Sequence, residues 1–281
     1  MKKIIIIFLA ALMPVLASAQ AQINTKKIKI ADLPEKVTKV VLTGNDLFDL
    51  VMQDEVAATW RVSPFEFCTL EEFESLKTND DYYFLLTTKD QFKKESVPGI
   101  QFLSLLKGGK EAQDGIGEML DVAAMPIASA QDPSGREFTF LSAFLNIIQT
   151  HAKQSIESDV TGYAGLTNHT ENIQDCEGMK IVFAEEDLSS QITDDFRKNY
   201  FDEEIYVTDM DEADEEMADA AANTLVSLTV APSEAKNGSY CYKMLIDAQT
   251  HTLYYFKRHK ISKKDGVGFL AEDIKKISSH R

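Results

Sequence analysis

The 281-residue sequence predicts an α/β (α+β) fold of two tandem β-α-β-α-β-β-β-α units, each a mixed sheet backed by helices. Three observations carry this expectation. Short β-branched or aromatic runs of strand type alternate with apolar residues at helical spacing. The same order of segments occurs twice, with many matched positions 140 or 141 residues apart. Both copies also close on a helix of one pattern. Repetition on a long period marks one supersecondary unit used more than once.

The elements follow in chain order. Lys39-Val40-Val41-Leu42 matches Lys180-Ile181-Val182-Phe183, an apolar run of buried-strand type. Asn45-Asp46-Leu47 and Glu186-Asp187-Leu188 are acidic helix starts, and Trp60 falls on Phe201. Phe65 and Phe67 correspond to Ile205 and Val207 in a second short strand. Short acidic helices follow, Leu70 to Leu76 and Met210 to Ala220. A third strand pairs Tyr82–Thr87 with Thr224–Thr229, and a fourth Ile100–Leu106 with Tyr240–Ile246. The fifth is Val122–Ile127 against Leu253–Phe256. Pro126 has no amide hydrogen for a ladder, which places its strand at a sheet edge. The run from Phe140 to His151 then aligns without a gap to Phe269–His280, both reading Phe-Leu-x3-aliphatic-x2-Ile-x2-His. Leu141, Leu145 and Ile148 share one helical face, as do Leu270, Ile274 and Ile277. These matches define unit one as 37–154 and unit two as 178–281. The polar stretch 155–177, with Gly162, Gly165, Asn168 and Asn172, reads as their linker.

The start of the chain has the form of an export signal. Lys2 and Lys3 precede an apolar stretch from Ile4 to Leu16, and Ala17-Ser18-Ala19 fits a cleavage site before Gln20. That stretch is too short to span a bilayer, and no cysteine stands at the cut to take a lipid. The expectation is a periplasmic or secreted protein of residues 20–281, with 20–36 an N-terminal extension and no stable membrane anchor. Losing residues 1–19, two of them lysines, moves the formal charge from −16 to −18. Such acidity disfavours nucleic acid and anionic lipid as partners, which need clustered Lys and Arg. Three cysteines in an oxidising compartment allow one internal disulfide, and Cys176 with Cys241, in the same half of the chain, are the expected pair.

Chemical motifs are sparse. His151, His169, His251, His259 and His280 have no metal-binding spacing, and no paired cysteine motif exists. The acidic run Asp209 to Glu216 suggests calcium by composition but lacks the central glycine of a calcium loop, so it reads as an acidic helix start. No nucleophile elbow is present, and Lys107-Gly108-Gly109-Lys110 completes no phosphate-binding fingerprint. That segment reads as part of one flexible hairpin loop. Trp60, Phe65, Phe67, Tyr82, Tyr83 and Phe84 offer a sugar platform at a glance, but strand spacing favours core packing. No catalytic residue, cofactor or metal site is expected.

The final hairpin, Tyr240 to Phe256, has the form strand, Asp247-x-x-Thr250-x, strand. With the preceding β-α-β-α-β order it resembles the amino-terminal domain of the TolB translocation protein and the related curli-secretion lipoproteins, whose turn reads Asp-x-x-Thr-Gly. The resemblance covers roughly 180–261 and more faintly 39–127. It departs at His251, where those proteins have glycine, and unit one replaces the turn with a loop from Lys107 to Met119. The resemblance implies no catalytic residue but a binding or assembly role in the cell envelope, with an envelope protein or other periplasmic component as partner. The alternative is a secreted hydrolase with acids from both units converging between them. One further pattern bears on assembly. The helix at 141 carries Phe144 and Ile147 where the helix at 270 carries Asp273 and Lys276. Its wider apolar face predicts a seam at Phe144 and Ile147, covered by unit two, a partner or a second copy in a homodimer.

Overall fold

A computed structural model describes residues 30–92 and 95–280. The expected export signal and most of the extension before unit one lie outside them. Unit one runs β1 (Val37–Val41), α1 (Asp46–Thr59), β2 (Phe65–Cys68), α2 (Leu70–Leu76), β3 (Tyr82–Asp90), β4 (Ile100–Lys107), β5 (Leu120–Ser129), α3 (Arg136–Thr139) and α4 (Leu141–Glu157). After α5 (Asp159–Ala164), unit two runs β6 (Lys180–Ala184), α6 (Asp194–Tyr200), β7 (Ile205–Thr208), α7 (Met210–Ala218), β8 (Thr224–Val230), β9 (Tyr240–Asp247), β10 (Leu253–Lys260) and α8 (Ala271–Ser278).

The sheets are ordered β2-β1-β3-β4-β5 and β10-β9-β8-β6-β7. Read from β2 and from β7, the order is the same. In each, the first strand pairs in parallel with the second and third, and the last two strands add antiparallel. The two halves are therefore one topology used twice, a mixed sheet backed by helices. Pro126 sits in β5, an edge strand, beside the register shift opposite Gln101 and Phe102, both places that tolerate a residue without an amide donor.

Local chemistry sets the helix starts. Thr69 and Glu72 close a reciprocal capping box on α2. Asp209 accepts the Glu212 amide at 2.9 Å, so the acidic run starts α7, where carboxylates meet the positive end of the helix dipole. Half of the aromatic zone of unit one is core: Trp60, Tyr83 and Phe84 are buried, and Phe73 meets Phe84 edge to face at 5.0 Å, whereas Phe65 and Tyr82 are half-buried and Phe67 is exposed. In the β9–β10 turn, the Asp247 carboxylate accepts the amides of Gln249 and Thr250 at 2.9 and 2.6 Å. His251 completes the turn at φ +56°, a left-handed conformation that glycine adopts without cost.

The polar stretch between the units is helical. A 3-10 run over Gly165–Asp175 lies along β10, the edge of the second sheet. Thr170 Oγ1 donates to the Phe256 carbonyl and accepts the Phe256 amide, while Asn172 donates to the Leu253 carbonyl at 2.8 Å. Side chains here do what a neighbouring strand would do, and they cover an exposed edge.

The core crosses the repeat boundary. One continuous apolar cluster holds Phe102, Met125, Phe144 and Ile147 of unit one with Val182, Leu228, Met244 and Phe256 of unit two. Phe144 and Ile147 are both buried. The other face of sheet two packs on α6 and α8 through Phe183, Leu245, Tyr255, Ile274 and Ile277. Phe144→Asp is expected to lower stability by about 2–4 kcal/mol, as disruption of a large core side chain does. Urea denaturation checks this, and an unchanged midpoint would contradict the burial of Phe144.

The expected disulfide is corrected. No disulfide joins Cys176 to Cys241. The Cys176 sulfur lies 4.0 Å from the His280 carbonyl oxygen, past the C-terminal end of α8, whereas Cys241 accepts the Gly268 amide before its N-terminus. The two thiols thus lie toward opposite ends of α8, whose eight residues rise about 12 Å. Sharing a unit did not bring the two thiols to one place.

Candidate functional site

Three buried polar clusters and one cavity stand out, and their accessibility separates them. The first cluster lies between the units. Arg136, at the start of α3, is buried and reaches into unit two. Its Nη1 donates to both oxygens of Asp187 at 3.1 and 3.0 Å, its Nε to Asp214 at 2.8 Å, and its Nη2 to the Ser227 carbonyl at 2.9 Å. Asp187 also accepts the Ser227 hydroxyl at 2.6 Å and the Thr229 amide at 2.8 Å. Phe140 lies under the guanidinium at 5.2 Å. Two acids thus converge between the units, but on an arginine. Burial raises the Asp214 pKa, and Arg136 pulls against that rise.

The second cluster sits between β9, β10 and α8. Lys243 and Asp273, both fully buried, form an ion pair. Tyr255 donates to Asp273 Oδ1 at 2.7 Å, the Leu270 amide to Oδ2 at 2.8 Å, and Lys257 to Oδ1 at 3.0 Å. Burial raises the Asp273 pKa, but Lys243, Tyr255 and the Leu270 amide outweigh it and hold the carboxyl below its ordinary value. On the same strand, burial pushes the Cys241 thiol up to about 11, so it stays protonated and poorly nucleophilic.

The third cluster pairs His151 with His169. His151 Nδ1 faces His169 Nε2 at 3.3 Å, and its Nε2 faces the Ser155 hydroxyl at 3.3 Å. Burial lowers the His169 pKa, favouring a neutral His169 ring, and the pair fastens the 165–175 segment onto α4. These clusters hold elements together.

The cavity is different. About 840 Å³ of space lies along the Lys107–Met119 loop, within the range of small-ligand sites. The loop is built of two 3-10 turns, Lys110–Asp114 and Ile116–Glu118, rather than open hairpin backbone. Gly108 and Gly109 explain themselves here. Their amides donate to the carbonyls of Tyr82 and Lys77 at 2.9 and 3.0 Å, so neither is left to cradle a phosphate. A methyl group on Gly108 would strike the Asn79 carbonyl oxygen, which makes glycine the fitting residue at this close approach. Ala112, Met119 and Leu120 give the cavity an apolar floor, and α5 adds Tyr163, half exposed. Lys107, on the wall, bonds both oxygens of Asp32 at 2.9 and 2.8 Å. Tyr83 donates to the same carboxylate at 2.6 Å.

Sequence reasoning placed the loop but assigned it no role, and Tyr163 escaped it entirely, lying more than forty positions downstream without any periodic signal. It also missed Arg136, Lys243 and Tyr255, whose partners are distant in the chain. Among the described residues, no group of three or more His, Cys, Asp or Glu side chains is placed to hold a metal ion, and no helix is long and apolar enough to cross a membrane. No family model, curated protein or solved structure matches this chain.

Proposed function

We propose that the chain is an exported, non-catalytic binding protein of the cell envelope, and that the cavity beside the Lys107–Met119 loop is its ligand face. One observation carries this reading: the cavity lies where the repeats differ. Unit two closes the corresponding strands with the short Asp247–Thr252 turn. In repeat proteins, insertions collect on the face that binds. The export signal at 1–19 and the resemblance to envelope assembly domains support the compartment, and the left-handed His251, where those domains have glycine, is compatible with that turn. The hydrolase alternative finds less support. Asp187 and Asp214, the acids that meet between the units, are engaged by Arg136, and Asp187 is 2 % exposed.

The test uses the internal comparison. Replacing 108–119 by the turn sequence of unit two removes buried Ala112 and Met119 and should lower the melting temperature, yet leave a cooperatively folded protein, and abolish capture of the envelope component that the parent retains. Capture of the same component by both chains would overturn the reading.

A further inference from the structure

We infer that the loop cavity takes a basic, amphipathic peptide segment of its partner, with lysines spaced among aliphatic residues. The inference rests on the cavity being the ligand face and names the chemistry that fits it. Asp80, Glu111, Glu118 and Asp121 line the cavity against two lysines, Lys107 and Lys110. Lys107 pairs with Asp32, and Asp80, Glu111 and Glu118 outnumber the remaining Lys110, so the field that meets a ligand is negative. The floor beneath these carboxylates is apolar: Ala112, Met119 and Leu120. A lysine side chain has the same division, an apolar stem under a charged head, and lays its stem on such a surface while its ammonium stays among carboxylates. Tyr163, 51 % exposed at the rim, offers a ring face to a cation. Ile116, on the loop and 37 % exposed, gives an aliphatic ligand residue a further contact.

The scale of the cavity agrees, since about 840 Å³ accommodates several side chains rather than a single ion. The chain's formal charge of −16 adds long-range attraction for a basic partner and repulsion for an acidic one. A phosphate or other anionic ligand has the wrong sign here, and the glycine amides that would have bound it are committed elsewhere.

Fluorescence anisotropy on the mature full chain tests this with two labelled synthetic peptides, one alternating lysine and leucine, the other glutamate and leucine. The lysine peptide should bind saturably and more weakly as salt is raised. Glu111→Gln with Glu118→Gln should weaken it about tenfold at low salt. Glu215→Gln with Glu216→Gln, acids on the α7 groove, should leave it unchanged, which separates the site from general attraction to an acidic protein. Thermal melts of both variants establish that they fold. Equal binding of the two peptides, no binding of either, or equal loss in both variants would overturn the inference. If neither peptide binds while the loop-shortened chain still loses its envelope component, the binding role stands and the basic-ligand inference falls.

Discussion

Asp273→Ala will destabilise the protein by about 3–5 kcal/mol, because it leaves the Lys243 ammonium fully buried with no counter-charge. The Tyr255 hydroxyl loses its acceptor in the same change. The apolar triple variant Lys243→Met, Tyr255→Phe, Asp273→Leu should lose much less, because it removes the buried ammonium, hydroxyl and carboxylate together and leaves only the Leu270 amide without its acceptor. Unit one supports this: its helix carries fully buried Phe144 at the position aligned with Asp273, so the topology accepts an apolar residue there. Urea denaturation distinguishes the two, and a triple variant as unstable as the single would contradict the argument. The sign of the pH effect follows from Asp273, whose folded pKa lies below its unfolded value. Its contribution is present above the unfolded carboxyl pKa of about 3.9 and is lost as pH falls through the lower folded value. Midpoints measured from about pH 6 to about pH 2 should therefore fall less steeply in the triple variant.

Arg136→Leu will cost a similar amount, about 3–5 kcal/mol, and will also change how the protein unfolds. Asp187, 2 % exposed, would keep two oxygens in the interior with the guanidinium gone, and Asp214 would lose its one strong donor. Because Arg136 belongs to unit one and its partners to unit two, the loss falls on the junction of the repeats. Trp60, the chain's single tryptophan, lies in the core of unit one. Its fluorescence follows that unit, whereas far-ultraviolet circular dichroism follows both. The two transitions should coincide in the parent and separate in the variant, the ordinary sign that unfolding has ceased to be two-state. Coincident transitions at an unchanged midpoint would show that Arg136 does not couple the units.

The repeat is legible in the sequence because it is written in local periods. The apolar runs at Val40 and Ile181, and the Leu-x3-aliphatic-x2-Ile stripes of α4 and α8, are short-range patterns set by the pitch of a strand or helix. Pro126 at an edge and Asp209 at a helix start were readable for the same reason: each is a property of one residue and its immediate backbone. The pairing of cysteines was not readable, since compartment and shared unit say nothing about distance, and α8 separates Cys176 from Cys241. Lys243 finds Asp273 across 30 residues, His151 finds His169 across 18, and Arg136 finds Asp187 across 51. A charge at either end of such a pair looks like any solvated charge in the sequence. The cavity likewise needs the 107–119 loop and Tyr163 of α5 to be folded against one another. By itself, then, the sequence determined the order of the elements and its duplication, because hydrophobic periodicity acts between near neighbours. Tertiary structure decided which charges are buried together and where the surface opens, because burial and Coulomb attraction depend on distance through space and not along the chain.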